Sequence, residues 1–405
     1  MDQTPRGNRL HIAIFGRRNT GKSSLINALT NQDIALVSSV PGTTTDPVFK
    51  AMEILPVGPV VIIDTAGIDD EGELGQLRVR RSLEVLNKAD MVLLVIDAAA
   101  GVTEFEENIA RTCRENKLPI VTVINKNDIH PVTAEQFEQT RQQLGVRTVV
   151  TSALTGQGIS EVKIAIMKSA PPSWDEQAIV GDLLKPGDLA ILVVPIDPAA
   201  PKGRLILPQV QTIRDILDHH AMAYVVKESE LQACMLSLQK KPRIVITDSQ
   251  AFQKAATETP PDVLLTSFSI LFARYKGDLK TLVAGAKAIK NLRPGDKVLI
   301  AEACTHHRME DDIGTVKIPR WLRQLAGGEL DFQWSSGNRL PASLSEFKLV
   351  VHCGACMINR REMLSRIMQA QVAGVPVVNY GVCIAYVMGI LKRALSPFPL
   401  LQESL

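Results

Sequence analysis

The sequence predicts an α/β protein of three domains, each a mainly parallel sheet with flanking helices. Apolar runs of strand length alternate with stretches of helical spacing along most of the chain, the pattern that parallel sheets leave in a sequence. At 405 residues the chain is too long for a single core. The run Ala170-Pro171-Pro172-Ser173-Trp174-Asp175-Glu176 breaks the helical periodicity and reads as a linker. The expected domains are 1–170, 178–265 and 266–405.

Composition narrows the function classes. The chain is 45% hydrophobic and 22% charged with a formal net charge of +2, a balance that argues against a non-specific nucleic-acid binder or a membrane-surface protein. Met1 to Arg9 is polar and lacks the apolar segment of a secretory signal, and the longest apolar run, Val382 to Leu391, is ten residues, too short to span a bilayer. The expected location is the cytoplasm, where the six cysteines would be reduced thiols open to metal. Cys113 and Cys234 lie in helical patterns and read as packing residues.

In the first domain the strand-like Leu10 to Phe15 leads into Gly16-Arg17-Arg18-Asn19-Thr20-Gly21-Lys22-Ser23-Ser24, and the helical pattern Leu25 to Leu29 follows. This is a phosphate-binding loop in its strand–loop–helix setting. Its glycines let backbone N–H groups close around phosphate oxygens at a helix N-terminus, where the dipole also favours an anion. Lys22 would reach the β and γ phosphates, and the Ser23 hydroxyl would hold Mg²⁺. Four further segments follow in order. Pro41-Gly42-Thr43-Thr44-Thr45-Asp46 can supply a threonine to the Mg²⁺ shell, and the strand Val60 to Ile63 ends in Asp64-Thr65-Ala66-Gly67, giving a carboxylate for the metal's water shell and an N–H for the γ phosphate. The strand Ile120 to Ile124 ends in Asn125-Lys126-Asn127-Asp128, where Asp128 can accept from guanine N1 and N2, a pair of donors adenine does not offer. Last comes Thr151-Ser152-Ala153-Leu154, whose backbone can meet guanine O6.

These five motifs resemble the GTPase family, its TrmE/Era branch most closely. The resemblance assigns Thr44 as the metal-binding threonine and implies that Asn19 helps bind an activating K⁺. Thr45 stands where that branch usually has arginine, and Leu154 where many GTPases have lysine. Ile68 occupies the position of a water-orienting glutamine in Ras-like enzymes, so a slow, K⁺-stimulated GTPase is expected. Arg78, Arg80 and Arg81 read as a solvated helix face.

In the middle domain, strands at Leu189–Val194, Ala223–Val226, Arg243–Thr247 and Asp262–Leu265 alternate with helices at Gln209–His219, Glu230–Leu238 and Ala251–Thr257. There is no phosphate loop and no carboxylate pair. His219 and His220 are helix neighbours that point apart and read as a surface pair. An interaction or dimerisation module is expected here.

The last domain opens with a helix over Leu279–Leu292. The strand Lys297–Ala301 then delivers Cys304-Thr305-His306, and the strand Phe347–Val351 delivers His352-Cys353-Gly354-Ala355-Cys356 before a helix at Arg360–Ala370. The strand Val375–Val378 ends at Asn379-Tyr380-Gly381, near Cys383. Carboxyl ends of parallel strands share one edge, so Cys304, Cys353 and Cys356 can meet although 48 residues separate the first two. Three thiols with a Cys-x-x-Cys pair suit zinc or an iron–sulfur cluster. For zinc, His306 or His352 would complete the site; for a [4Fe-4S] cluster, the fourth iron would take a histidine, a carboxylate such as Glu302, Glu310 or Asp311, or an exchangeable ligand.

Cys304-x-His306, 45 intervening residues, then His352-Cys353-x-x-Cys356, behind a TrmE-like GTPase domain, resembles the HydF family of [FeFe]-hydrogenase maturation GTPases. The resemblance covers all three domains. It implies a [4Fe-4S] cluster in the last domain, a homodimer formed by the middle one, and a scaffold that accepts a diiron precursor from the radical SAM maturases HydE and HydG and delivers it to the apo-hydrogenase HydA. The competing reading is an RNA-modification or ribosome-assembly GTPase with a structural zinc site.

Overall fold

In the computed structural model of the chain, which describes residues 5–30, 48–65, 83–171, 178–195, 205–303, 312–337, 340–341 and 343–403, the alternating pattern becomes three sheets in two compact units, Met1–Glu176 and Gln177–Leu405. The first unit holds β1 (Leu10–Phe15), β2 (Val48–Ile54), β3 (Gly58–Asp64), β4 (Met91–Asp97), β5 (Ile120–Asn125) and β6 (Arg147–Val150) in the order β2-β3-β1-β4-β5-β6. All neighbours are parallel except β2 against β3. Helices cover both faces, which is why β1 and β4 are almost wholly apolar. Leu10, Ile12 and Ile14 enter one core with Leu25 and Val162, while Ala13 and Phe15 enter the other with Ile109.

Because five of the six strands run the same way, the carboxyl ends of β1, β3, β4 and β5 lie along one edge. The helices Glu104–Glu115 and Ala134–Leu144 each begin with a capping box, Thr103 with Glu106 and Thr133 with Gln136.

The second unit carries two four-stranded, all-parallel sheets. One has β7 (Leu189–Val193), β8 (Met222–Val226), β9 (Ile244–Thr247) and β10 (Leu264–Ser267) in the order β10-β9-β7-β8. The other has β11 (Lys297–Glu302), β12 (Asp331–Ser336), β13 (Leu349–His352) and β14 (Val377–Asn379) in the order β12-β11-β13-β14.

One hydrophobic core runs through both sheets, joining Ile191, Val245 and Leu265 of the first to Ile300, Val351 and Val378 of the second. The helix Phe268–Lys276 lies between them, with Phe268 and Phe272 in the middle sheet's own cluster and Ile270 and Ala273 in the shared core. Polar staples reinforce the junction. Arg393 donates to the carbonyls of Pro260 and Val263 at 2.8 Å each, and the Ser396 hydroxyl accepts from Leu265 N at 2.8 Å and donates to Leu265 O at 3.1 Å. Arg360 caps the helix Phe268–Lys276, donating to the carbonyls of Arg274, Tyr275 and Gly277 at 3.0, 2.9 and 2.7 Å.

Two expectations are refined. The helix expected over Leu279–Leu292 stops at Ala286 and gives way to a 3₁₀ turn at Ile289–Asn291. Ala286, Ile289 and Leu292 are buried at a spacing of three, which a 3₁₀ turn lines up and an α-helix does not. β12 is an unanticipated edge strand; of its residues only Phe332 is buried, so its sequence carries little strand signal.

Candidate functional site

At the carboxyl edge of the first sheet, β1 ends in the loop Gly16–Gly21 and the helix Lys22–Thr30 starts immediately after it. Asn19 and Gly21 both take left-handed backbone angles, φ 63° and 87°. At Gly21 a side chain is excluded twice over, since a Cβ would also lie 2.3 Å from the Asn125 amide nitrogen. That closeness is functional: Asn125, buried at the end of β5, donates to Thr20 O at 2.9 Å and accepts from Ala153 N at 2.9 Å. One side chain thereby straps the phosphate loop to the Ser152–Ala153 turn.

Lys22 donates to the carbonyls of Gly16 and, at 3.0 Å, of Arg17, so its ammonium sits inside the loop that would hold phosphate. Ser23 and Ser24 are exposed in the first helical turn. Asp64 is buried at the end of β3, and the neighbouring Thr65 hydroxyl donates to Ile14 O at 2.6 Å, tying that strand end to β1. Lys126 pairs with Asp97 at 2.7 Å. Burial raises the Asp97 pKa, but the Lys126 hydrogen bond and charge and the Ala99 N–H outweigh it, leaving the carboxyl below its usual range. Ser152 is buried and its hydroxyl accepts from Thr155 N at 3.2 Å; Asp128 and Leu154 are exposed.

A further tie had no place in the sequence reading. Arg17 donates from Nε to Glu106 at 2.9 Å and from Nη2 to Gly101 O at 2.9 Å, while the other Glu106 oxygen accepts from Thr103 N at 2.8 Å and from its hydroxyl at 2.6 Å. Glu106 is fully buried. Its local half, Thr103-x-x-Glu106, is a readable capping box; its partner in the phosphate loop is 89 positions away.

The second candidate site is the carboxyl edge of the last sheet, where Ala301 pairs with His352 and His352 with Asn379. Cys353 follows β13 directly. Its N–H donates to Ala301 O at 2.8 Å and its sulfur accepts from Ala303 N at 3.2 Å. Ala355 adopts φ 56° and turns the chain back toward Cys356. Both cysteines are half-buried and neither is in a disulfide.

Glu302, buried at the end of β11, accepts from the Tyr380 hydroxyl at 3.1 Å. Burial first, and then the Glu302 charge, push the Tyr380 pKa strongly upward, so it stays a donor. Gly314, in a π-helical turn at Ile313–Lys317, packs so close that a Cβ there would meet the tyrosine oxygen at 2.2 Å.

His352 is engaged at both ring nitrogens. Nδ1 lies 2.8 Å from Cys353 O and Nε2 lies 3.2 Å from an Arg366 nitrogen. A carbonyl only accepts and a guanidinium only donates, so the ring is the neutral Nδ1–H tautomer. Desolvation, with the Arg366 charge second, lowers its pKa to about 4. The Nε2 lone pair, through which His352 would ligate a metal, faces the Arg366 guanidinium in this arrangement. Cys383, expected near this edge, is instead buried in the helix Tyr380–Val387, where burial pushes its thiol up to about 12.

Thr44, Gly67, Ile68, Arg78, Arg80, Arg81, Cys304, His306, Glu310 and Asp311 lie outside the described residues, as does the linker from 172 to 176. Among the described residues no three His, Cys, Asp or Glu side chains gather as a metal site. Two cysteines outside any disulfide at one strand edge, one receiving a backbone N–H, match the donor chemistry of a soft metal or iron–sulfur cluster.

Comparison with known proteins divides the chain at the same linker. Residues 11–126 match the 50S ribosome-binding GTPase model, residues 179–277 the hydrogen maturase F dimerization domain, and residues 280–397 the hydrogen maturase F tetramerization domain. The tRNA modification GTPase MnmE of Acaryochloris marina is 37% identical over 163 residues, which are 40% of this chain and 34% of that protein. GTPase Der of Desulfitobacterium hafniense is 38% identical over 165 residues, 38% of this chain and 37% of that protein. The chain thus spans about a third of the length of these curated relatives.

Proposed function

The chain belongs to the hydrogen maturase F family, and from that premise we propose that it is a GTP-hydrolysing scaffold that holds a [4Fe-4S] cluster and assembles or delivers the diiron subcluster of [FeFe]-hydrogenase. The observation that carries the reading is that one chain has both a GTPase domain and a sheet edge with two cysteines outside any disulfide.

At the nucleotide site the loop Gly16–Gly21 wraps the phosphates, Lys22 leaves its carbonyl partners to neutralise the β and γ oxygens, and Asp128 selects guanine. Ser23 and Thr44 hold Mg²⁺, with Asp64 on its water shell and Gly67 on the γ phosphate. Asn19, at φ 63° in the phosphate loop, would help hold a K⁺ that compensates for the missing glutamine at Ile68, so turnover would be slow and K⁺-stimulated. Equal turnover in K⁺ and Na⁺ would remove that part.

In the last domain Cys353 and Cys356, with Cys304, hold the cluster. Three thiolates from this chain would leave one cluster position for an exchangeable ligand, which is the chemistry a scaffold needs. Ala303 N–H and the Cys353 peptide orient one thiolate, and the Glu302–Tyr380 pair keeps a carboxylate beside it. Residues 1–170, 178–265 and 266–405 thus divide into nucleotide, dimerisation and cluster functions.

The dimer seam is the free edge of β8, where Met222, Tyr224 and Val225 are each 45–48% exposed. Pairing with a second β8 would satisfy that edge. In this reading HydE and HydG would donate the diiron precursor, HydA would accept it, and the chain would work in the cytoplasm. No helix among the described residues is long and apolar enough to cross a membrane.

Anaerobic reconstitution with iron and sulfide tests the proposal. The wild type should bind iron and sulfide, absorb broadly in the visible and give an EPR signal on reduction, and Cys353→Ala should lose most of each. A colourless protein retaining one tight zinc would support the RNA-modification alternative instead. That alternative draws on the name of MnmE, whose match is confined to about 160 residues of this chain.

A further inference from the structure

The loop that presents Cys353 is held from behind by a side chain of the helix that follows it. Arg366, buried in the helix Arg360–Val372, spreads its guanidinium over three acceptors: His352 Nε2 at 3.2 Å, Gly337 O at 2.7 Å and Glu362 Oε1 at 2.9 Å. A donor on Nε2 leaves the ring proton on Nδ1, and Nδ1 reaches Cys353 O at 2.8 Å. The backbone is thereby fixed on both sides of the Cys353 Cα, because the Cys353 N–H also donates to Ala301 O at 2.8 Å. With the peptide fixed, the thiol stands where Ala303 N–H meets it at 3.2 Å.

We propose that Arg366 is a positioning residue for the cluster: through His352 it locks the Cys353 peptide, and so holds that thiolate in its N–H···S hydrogen bond. His352, which sits beside the cysteine and invites reading as a ligand, is the middle member of this relay. N–H···S bonds stabilise the more negative, reduced form of a cluster, so the relay sets its reduction potential. The Glu362 carboxylate on the same guanidinium offsets the buried cation, which places the effect in geometry more than in charge. The proposal rests on the reading of this edge as a cluster site.

Two measurements on the full chain keep the two claims separate. In metal-free protein labelled with ¹⁵N-histidine, His352 should appear as the Nδ1–H tautomer in the wild type and as a mixture in Arg366→Met. After anaerobic reconstitution, Arg366→Met and His352→Leu should take up as much iron and sulfide as the wild type. Their potentials should be more negative and their EPR line shapes altered, whereas His352→Gln, which can both donate and accept, should return toward wild type. His352→Leu leaves Arg366 its Gly337 and Glu362 partners, so it carries the comparison if Arg366→Met does not fold.

Unchanged tautomer, potential and line shape in Arg366→Met would overturn the proposal and leave the cluster reading intact. So would a strong ¹⁴N hyperfine coupling that vanishes in His352→Leu and persists in His306→Ala, because it would make His352 a ligand. A wild type with the expected tautomer that takes up no cluster would refute the site reading and this proposal with it.

Discussion

Replacing Asn125 by alanine should damage the nucleotide unit by removing the strap between the phosphate loop and the Ser152–Ala153 turn. The side chain is 2% exposed and makes two bonds of 2.9 Å, to Thr20 O and from Ala153 N. Its removal strands a carbonyl and an amide, each costing about 1–3 kcal/mol, so roughly 2–4 kcal/mol is expected once some water entry is allowed for. For a unit of this size that lowers the melting temperature by about 5–15 °C. The loss should appear in the first unit's transition, and in a weaker Kd for a fluorescent guanine nucleotide.

Gly21→Ala provides the internal check, since its Cβ would lie 2.3 Å from the Asn125 nitrogen at a residue with φ 87°. Alone it should be as harmful as Asn125→Ala. In the double variant the clash is gone, and Gly21→Ala adds to the Asn125→Ala loss only the left-handed strain of roughly 1–2 kcal/mol, so the two effects should fall well short of additive. Strict additivity, or an unchanged melt for Asn125→Ala, would refute the strap.

Three other outcomes follow from the contacts described. Glu106→Gln should lower stability by about 2–3 kcal/mol in urea unfolding, because an amide cannot accept from Thr103 and pair with Arg17 at once; an unaltered midpoint would show that the buried pair is dispensable. Ser396→Ala should expose the outer edge of β10 and cost about 1–3 kcal/mol, with hydrogen exchange at the Leu265 amide rising sharply; undiminished protection there would rule out the staple. Tyr224→Lys combined with Val225→Lys should shift a dimer to monomer in light scattering, and a persisting dimer would move the seam away from β8.

The nucleotide motifs were legible because each is a local run that ends a strand, and parallel strands put those ends on one edge. Gly16, Lys22, Asp64 and Asn125 needed only their own neighbours to be read. What escaped is long-range. Nothing near Arg17 points to Glu106, and nothing near His352 points to Arg366, 14 positions on in the next helix. Without that partner a histidine next to a cysteine reads as a ligand. β12 escaped for the opposite reason, since an edge strand can stay polar along its free side and so lose the apolar run that marks its neighbours.

The core shared by the two sheets of the second unit also bears on how such a chain can be rearranged in evolution. The first unit closes both its cores on itself, and its counterparts are found in proteins with other names, so it is a part that gene fusion can move intact. A break after Ser267 would strip Leu265, Ile270 and Leu282 of their surroundings and cut the Arg393 and Ser396 ties. Recombination at that point should yield sticky fragments, so the middle and last sheets are expected to pass between genomes as one heritable block.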